Sequence, residues 1–237
     1  FSGERFAYIR VKQEKISHVK RNNNEVKVVP PVLQGVETGN ELFSELLVDD
    51  DEVDRRSFSR EVVDGVDLSE VNVSSCVFDH VSFPGCRFRE ARLTDVLFEN
   101  CDLSNVDLSG SVLFRVEFRS CKLMGTNLSD GVLNNVLFRH CNARYMNLSM
   151  GRLKQVLFAH GDMQGSALEC CRLEAVAFDT CSLVEAEFSR TSLKGMDLTS
   201  SRLEGLRLGV GDLRGVIVSP VQALDLTRYL GLVVKDV

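Results

Sequence analysis

From Leu68 to Val218 every fifth residue is apolar, and the register holds without a gap over 31 positions. Leu or Phe fills 27 of them, with Val73, Ala143, Met163 and Val218 as the exceptions. A fixed self-similar period marks a repeat architecture, in which stacked units bury a continuous core. Two residues before each centre lies a second inward position, usually small or β-branched: Val66, Cys76, Ala91, Ser111, Gly131 and Thr191 are examples. Polar residues dominate the other three places, as in the unit from Val106 to Gly110. The chain reads first as a scaffold whose function sits on its surface.

A longer period lies beneath the short one. Val-x-Phe recurs at Val96/Phe98, Val116/Phe118, Val136/Phe138, Val156/Phe158 and Val176/Phe178, and Phe78 extends the Phe series. One unit further on, Cys101, Cys121, Cys141, Gly161 and Cys181 keep the same spacing of 20. Residues 20 apart therefore lie above one another, four units make one turn, and each column becomes a like-on-like ladder. These residues resemble the pentapeptide-repeat family, and the resemblance covers about two-thirds of the chain. It implies an all-β fold: a right-handed, quadrilateral parallel β-helix with the small and large residues inward and the remaining three residues of each unit facing solvent. The repeat count predicts nearly eight turns and a rod on the order of 37 Å long.

Open ends of such a coil need covers. Ser219, Pro220 and Gln222 form an N-cap, first-turn proline and capping box, and Gly231 ends the helix. Its apolar residues, Val221, Ala223, Leu224, Leu226 and Leu230, either plug the rod, pair with a copy of themselves, or both, with Leu232 to Val234 as a short extended tail. The expected division is an N-terminal segment over 1–57, the coil over 58–218, and the helix and tail over 219–237. Within the N-terminal segment, Phe6 to Val11 and Glu25 to Val29 are candidate strands, and Asn22 to Asn24 a candidate turn. Glu41 to Leu47 is a candidate helical cover, and Asp49 to Glu52 a solvated acidic linker. Phe58 and Val63 share the register, so coiling can start before Leu68.

Composition limits the functional classes. Net charge is −6, against the basic surface of a general nucleic-acid binder. No apolar run approaches the roughly 18 residues of a membrane span, and no basic-then-apolar leader opens the sequence. Seven of the eight cysteines occupy the small inward slot, where Val, Ala and Ser sit elsewhere. Packing, not disulfide pairing, is the expectation, and it fits a reducing cytoplasm. No phosphate-cradling glycine loop or nucleophile elbow is present. His140 and His160 stand one turn apart with no evident third ligand. The expectation is a protein that is not an enzyme and has no cofactor or metal.

The outward positions hold candidate binding surfaces. An acidic stripe comprises Asp67, Glu70, Glu90, Asp107 and Asp130; an apolar strip comprises Val77, Leu97, Leu137, Leu157 and Ala177, interrupted by Glu117. The face with Leu93 and Leu113 is basic, with seven bases against three acids. The strip is expected to bind either a partner or the N-terminal segment. Ala143 and Gly161 leave one wall underfilled, with Tyr145 or Met163 as compensation. Resemblance to loopless quinolone-resistance members implies a DNA-mimicking binder of DNA gyrase or topoisomerase IV, dimerised through Ala223, Leu224, Leu226 and Leu230. The alternative is a generic protein-interaction scaffold. Wholesale charge mimicry of 37 Å of duplex needs roughly 20 negative charges, whereas the outward positions carry 19 acids and 16 bases.

Overall fold

The computed structural model describes residues 17–21, 24–38, 42–46 and 52–233. An antiparallel pair, β1 (Ser17–Arg21) and β2 (Asn24–Val28), precedes β3 (Glu37–Thr38) and a helical turn, α1 (Phe43–Leu46). The coil continues through β4 (Glu52–Asp54), β5 (Arg56–Ser59), β6 (Asn72–Ser74) and β7 (Val77–Asp79). Five strands of eight residues follow: β8 (Arg92–Glu99), β9 (Val112–Arg119), β10 (Val132–Arg139), β11 (Arg152–Ala159) and β12 (Arg172–Asp179). Helix α2 (Pro220–Leu226) closes the described chain, followed by a 3₁₀ turn over Thr227–Leu230.

The fold is a four-sided parallel β-solenoid. Partners across each ladder are 20 residues apart, as in Val96↔Val116, Phe98↔Phe118 and Phe118↔Phe138. Each long strand covers two faces and turns the corner between them at its fourth residue: Asp95, Arg115, Asn135, Gln155 or Ala175, with φ of 57, 52, 56, 53 and 51°. The other two faces are joined by single parallel bridges, such as Asp102↔Lys122 and Asp107↔Asn127. Here Asp or Asn before the centre accepts the N–H two residues on: Ser104 to Asp102 at 3.1 Å, Ser109 to Asp107 at 3.1 Å and Ser129 to Asn127 at 3.2 Å. These Asx turns make the corner locally and account for the repeated Asp/Asn-Leu-Ser.

The core is a Phe ladder. Phe58, Phe78, Phe98, Phe118, Phe138, Phe158 and Phe178 stack with centroids 4.7–5.1 Å apart, the spacing of paired strands. Each stacked contact contributes about 0.5–1.5 kcal/mol beyond burial. Phe43 of α1 closes the lower end edge-on, 5.1 Å from both Phe58 and Phe78, and is itself fully buried. Phe188 meets Phe178 edge-on, 5.8 Å away at 87°, while the column itself continues with the buried Leu198.

The boundaries differ from those read in the sequence. Coiling begins at β4, with Val53, Phe58 and Val63 buried, so Glu52 belongs to a strand; Asp49 to Asp51 lie outside the described residues. Pairing with a turn above, through β4–β6 and β5–β7, draws this stretch into the rod. At the other end a 3₁₀ turn over Val210–Leu213 breaks the regular pattern, and Leu208, Leu213 and Val218 are only half-buried because no full turn covers them. The candidate strand Glu25 to Val29 is observed as β2; Phe6 to Val11, Asn22 and Asn23 lie outside the described residues. Leu232 and Val233 form no strand, and Val234 is outside the described residues.

The small slot does more than fill space. Cys101, Cys121, Cys141 and Cys181 each direct the thiol at the carbonyl of the Phe one turn below, at 3.3–3.4 Å. Ser111 donates to Phe88 O at 2.7 Å and Thr126 to Leu103 O at 2.8 Å in the same geometry. A small side chain with a donor is therefore favoured there. All eight thiols are free. Burial pushes Cys76 up to about 12 and Cys171 and Cys181 up to about 11. Because the unfolded thiols ionise near 9 and the folded ones do not, their contribution is intact below pH 9. It is lost above that at about 1.4 kcal/mol per thiol per pH unit, until the folded value is reached. Urea midpoints measured from pH 8 to 10.5 are expected to fall steeply, and Cys76→Val/Cys181→Val to flatten the slope. In the native protein a thiol reagent is expected to modify Cys170 alone at an appreciable rate.

Candidate interaction surfaces

The apolar strip is covered by the chain itself. Residues 24–38 run along the rod axis, across successive turns and toward the coil's first turn. Val26 and Val28 pack on Leu137, Leu157, Ala159 and Ala177; Leu33 and Val36 pack on Val77 and Leu97. Of the two occupants expected for the strip, the N-terminal segment is the one that covers it, and the strip is the seat of a strap and not an open partner site. Corner side chains bolt it down: Val29 N–H donates to Asn135 Oδ1 at 2.9 Å and Val32 N–H to Asp95 Oδ1 at 2.8 Å. Asp95 also takes a bidentate pair from Arg115, at 2.6 and 2.5 Å. Pro30 and Pro31 lie between, over Val116, Glu117 and Leu137, and bring no N–H needing an acceptor. Glu117, which interrupts the strip, is buried and held by Arg119 at 2.5 and 3.0 Å. Further down, Phe43 N–H donates to the buried Glu61 at 3.0 Å.

The acidic stripe is less anionic than its composition. Glu70, Glu90 and Asp130 are exposed along one corner column. Asp67 and Asp107 belong to the adjacent column, and Arg87 stands between them, 3.9 Å from Asp67. Arg89 reaches Asp107 at 2.6 Å. Hydrogen bonds from Ser69 hold the Asp67 carboxyl below its ordinary range. At Asp107 burial works against ionisation, but Arg89 and Ser109 outweigh it and lower the value. Both carboxylates build the Asx turns as well as facing solvent.

The C-terminal end is an apolar surface on a capped helix. Ser219 Oγ accepts Gln222 N–H at 3.3 Å, and Gln222 Oε1 accepts Ser219 N–H at 2.8 Å. The Gln222 amide then donates to Leu198 O at 2.9 Å and Ser201 O at 2.7 Å, closing carbonyls that the coil leaves open. Of the candidate dimer residues, Leu226 is buried, whereas Ala223, Leu224 and Leu230 face solvent.

The remaining irregularities resolve as packing. Met146, in the small slot, and Met163 are both buried and supply volume around Ala143. Tyr145 is exposed and lies over Gly165, where a Cβ would come within 2.7 Å of its ring. The His140 and His160 rings stack 5.1 Å apart at 14°, a parallel arrangement that does not converge on one ion. Among the described residues no group of three or more His, Cys, Asp or Glu side chains is placed to hold a metal. No helix there is long and apolar enough to cross a membrane.

A regular coil of five-residue units, with Asx corners and a Phe column, defines a pentapeptide-repeat solenoid. Family models agree: the pentapeptide repeat region matches residues 91–168 and 111–188, and pentapeptide repeats in eight copies match 64–95. Together they span more than half of the sequence, and the chain belongs to the pentapeptide-repeat family. Among solved structures it is similar to QnrB1, a plasmid-mediated fluoroquinolone resistance protein. Identity there is 23%, coverage 78% of this chain and 95% of that one, and the TM-score 0.45. It is also similar to HetL, involved in heterocyst differentiation regulation in the cyanobacterium Nostoc, at 16% identity, 76% and 98% coverage and a TM-score of 0.41. No curated protein sequence matches the chain.

Removing the strap's anchors is expected to free it without unfolding the rod. Asp95→Ala deletes the acceptor of Val32 N–H and the partner of Arg115, with an expected cost of about 2–3 kcal/mol. Hydrogen exchange at Val29 and Val32 is expected to accelerate, and an apolar dye to bind the uncovered Leu97 and Leu137. Unchanged exchange would contradict the bolting role.

Proposed function

We propose that the protein is a non-enzymatic binding rod that pairs with a second copy through its C-terminal end and acts by engaging another protein. The observation that carries this reading is the uncovered apolar end: Val221, Leu224, Leu230, Leu232 and Val233 are 72, 53, 61, 56 and 85% exposed. Side chains of this type gathered on one end of a capped structure mark an interaction surface. Buried free thiols suit a reducing compartment, and we place its work in the cytoplasm.

A second reading has a specific observation in its favour. The turns from Val53 to Leu208 carry no long projecting loop, so two rods joined at their C-terminal ends make one long smooth-sided body. That shape suits a DNA-mimicking binder of a type II topoisomerase, DNA gyrase or topoisomerase IV, that protects against or modulates quinolone action. The arginines beside Asp67 and Asp107 weaken mimicry by charge, leaving Glu70, Glu90 and Asp130 as its anionic points.

Sedimentation analysis tests the first reading: a dimer is expected for the native chain and a folded monomer for Leu224→Glu/Leu230→Glu. A native monomer at high micromolar concentration rejects the pairing. Supercoiling and quinolone-cleavage assays test the second: inhibition or protection at micromolar protein, lost in the double variant, is the expected outcome. No effect on either enzyme eliminates the topoisomerase reading and leaves the scaffold.

A further inference from the structure

A second face of the rod carries a groove that no segment among the described residues fills. Its walls are Val132, Arg152 and Arg172 on one side and Asn134, Lys154 and Glu174 on the other, over a floor of strand backbone at Leu133 and Leu153, whose side chains are in the core, and the half-buried Leu173. The groove is open and about 300 Å³ in volume. The sheet ends at β12, and Leu173 there is half-buried where Leu153 below it is 1% exposed. Val112 and Val132 extend the wall downward, 41 and 38% exposed.

The charges are unusual for this molecule. Elsewhere several stacked columns pair opposite signs, as in Asp95–Arg115 at 2.5 Å and Asp102–Lys122 at 3.3 Å, and where arginines stack, as Arg119 and Arg139 do, Arg119 is held by Glu117. Here Arg152 and Arg172 lie directly above one another in register, both exposed and without a carboxylate partner among the described residues. Arg92 below and Lys194 above are also unpaired there. Of the acids on this face, Asp95 belongs to Arg115, Glu174 is held by Lys154 at 2.8 Å, and Asp212 accepts the Gly209 and Arg190 N–H groups at 3.0 and 3.1 Å. Unpaired like charges one strand spacing apart repel, and an anion laid across them removes that repulsion.

We propose that this groove docks an extended, acidic segment of a partner protein, with carboxylates over Arg152 and Arg172 and apolar side chains over Val112 and Val132. The proposal rests on the reading of the rod as a protein-binding scaffold and names the chemistry of its partner. The adjoining face supplies the precedent: there the strap lies in extended form along the rod, with Val26 and Val28 seated on Leu137 and Leu157. From Arg92 to Arg172 is four inter-turn steps of about 4.8 Å, the reach of roughly six extended residues. A polyanionic duplex fits less well, because the net charge of −6 and the acidic neighbouring corner repel it.

The test is fluorescence anisotropy with a labelled peptide of alternating glutamate and valine, about eight residues long, against its lysine–valine counterpart and a short DNA duplex. The glutamate peptide is expected to bind in a salt-sensitive manner, at least about tenfold tighter than the lysine peptide. Arg152→Glu/Arg172→Glu is expected to weaken it about tenfold or more, while Arg207→Glu, on another face, leaves it unchanged. Methyl shifts at Val112 and Val132 on titration locate the site, and circular dichroism establishes that the variants are folded. No binding, equal binding of the two peptides, tighter binding of the duplex, or an unaffected double variant overturns the proposal. Dimerisation and topoisomerase inhibition are read separately, so failure of this groove is distinguishable from failure of the scaffold reading.

Discussion

Parallel turns held in register at a displacement of 20 residues govern everything else in this molecule. Backbone hydrogen bonds fix the spacing near 4.8 Å, which is also a favourable distance for stacked rings. Each side chain therefore meets its counterpart in the turn below, and the sequence must supply columns that tolerate self-contact. Phe does so by stacking, as between Phe118 and Phe138 at 4.9 Å and 3°. The small inward slot uses thiols and hydroxyls that reach down to a carbonyl. The bridge column uses an amide ladder, with Asn127 donating to Asp107 at 3.0 Å and Asn147 to Asn127 at 3.2 Å.

Many charged residues meet the same demand by pairing opposite signs between turns, although like charges also stack, as Asp79 with Glu99 and Arg119 with Arg139. Pairs such as Lys154–Glu174 at 2.8 Å satisfy each other between turns, at modest energetic benefit because they are exposed. The exceptions are therefore informative. An acid stripe with arginines set into it has been partly neutralised from within, whereas Arg172 above Arg152 has been left unneutralised. The surface is better described by which charges lack a partner than by net charge.

Much of the rod was legible because its periodicity is read directly from Leu68 onward, and the capping box at Ser219 and Gln222 is a local signal. The strap was not. Val26 and Val28 reveal that they need an apolar surface, but nothing in their spacing identifies Leu137 and Leu157, over a hundred residues away, as that surface. The bolts are equally silent: Asp95 and Asn135 read as ordinary corner residues until the Val32 and Val29 N–H groups arrive at them. Phe43 lies outside the recognised run of repeats, so its role as the closing ring of the ladder came only with three dimensions. Asp67 and Asp107 were read as surface charge because sequence position does not show which carboxylates are already engaged by backbone N–H groups and arginines.

The strap also sets an order of events. Its seat is assembled from residues 77 to 177, all synthesised after it, and the Val29–Asn135 bond spans 106 positions of chain. A solenoid can grow turn by turn through neighbour contacts, but this segment has no surface to occupy until most of that growth is complete. Val26 and Val28 emerge first and dock last, so the nascent protein carries exposed valines through much of its own translation. Once docked, the same segment ties early turns to late ones, and a rod that would otherwise fray from either end gains a reason to open as a unit.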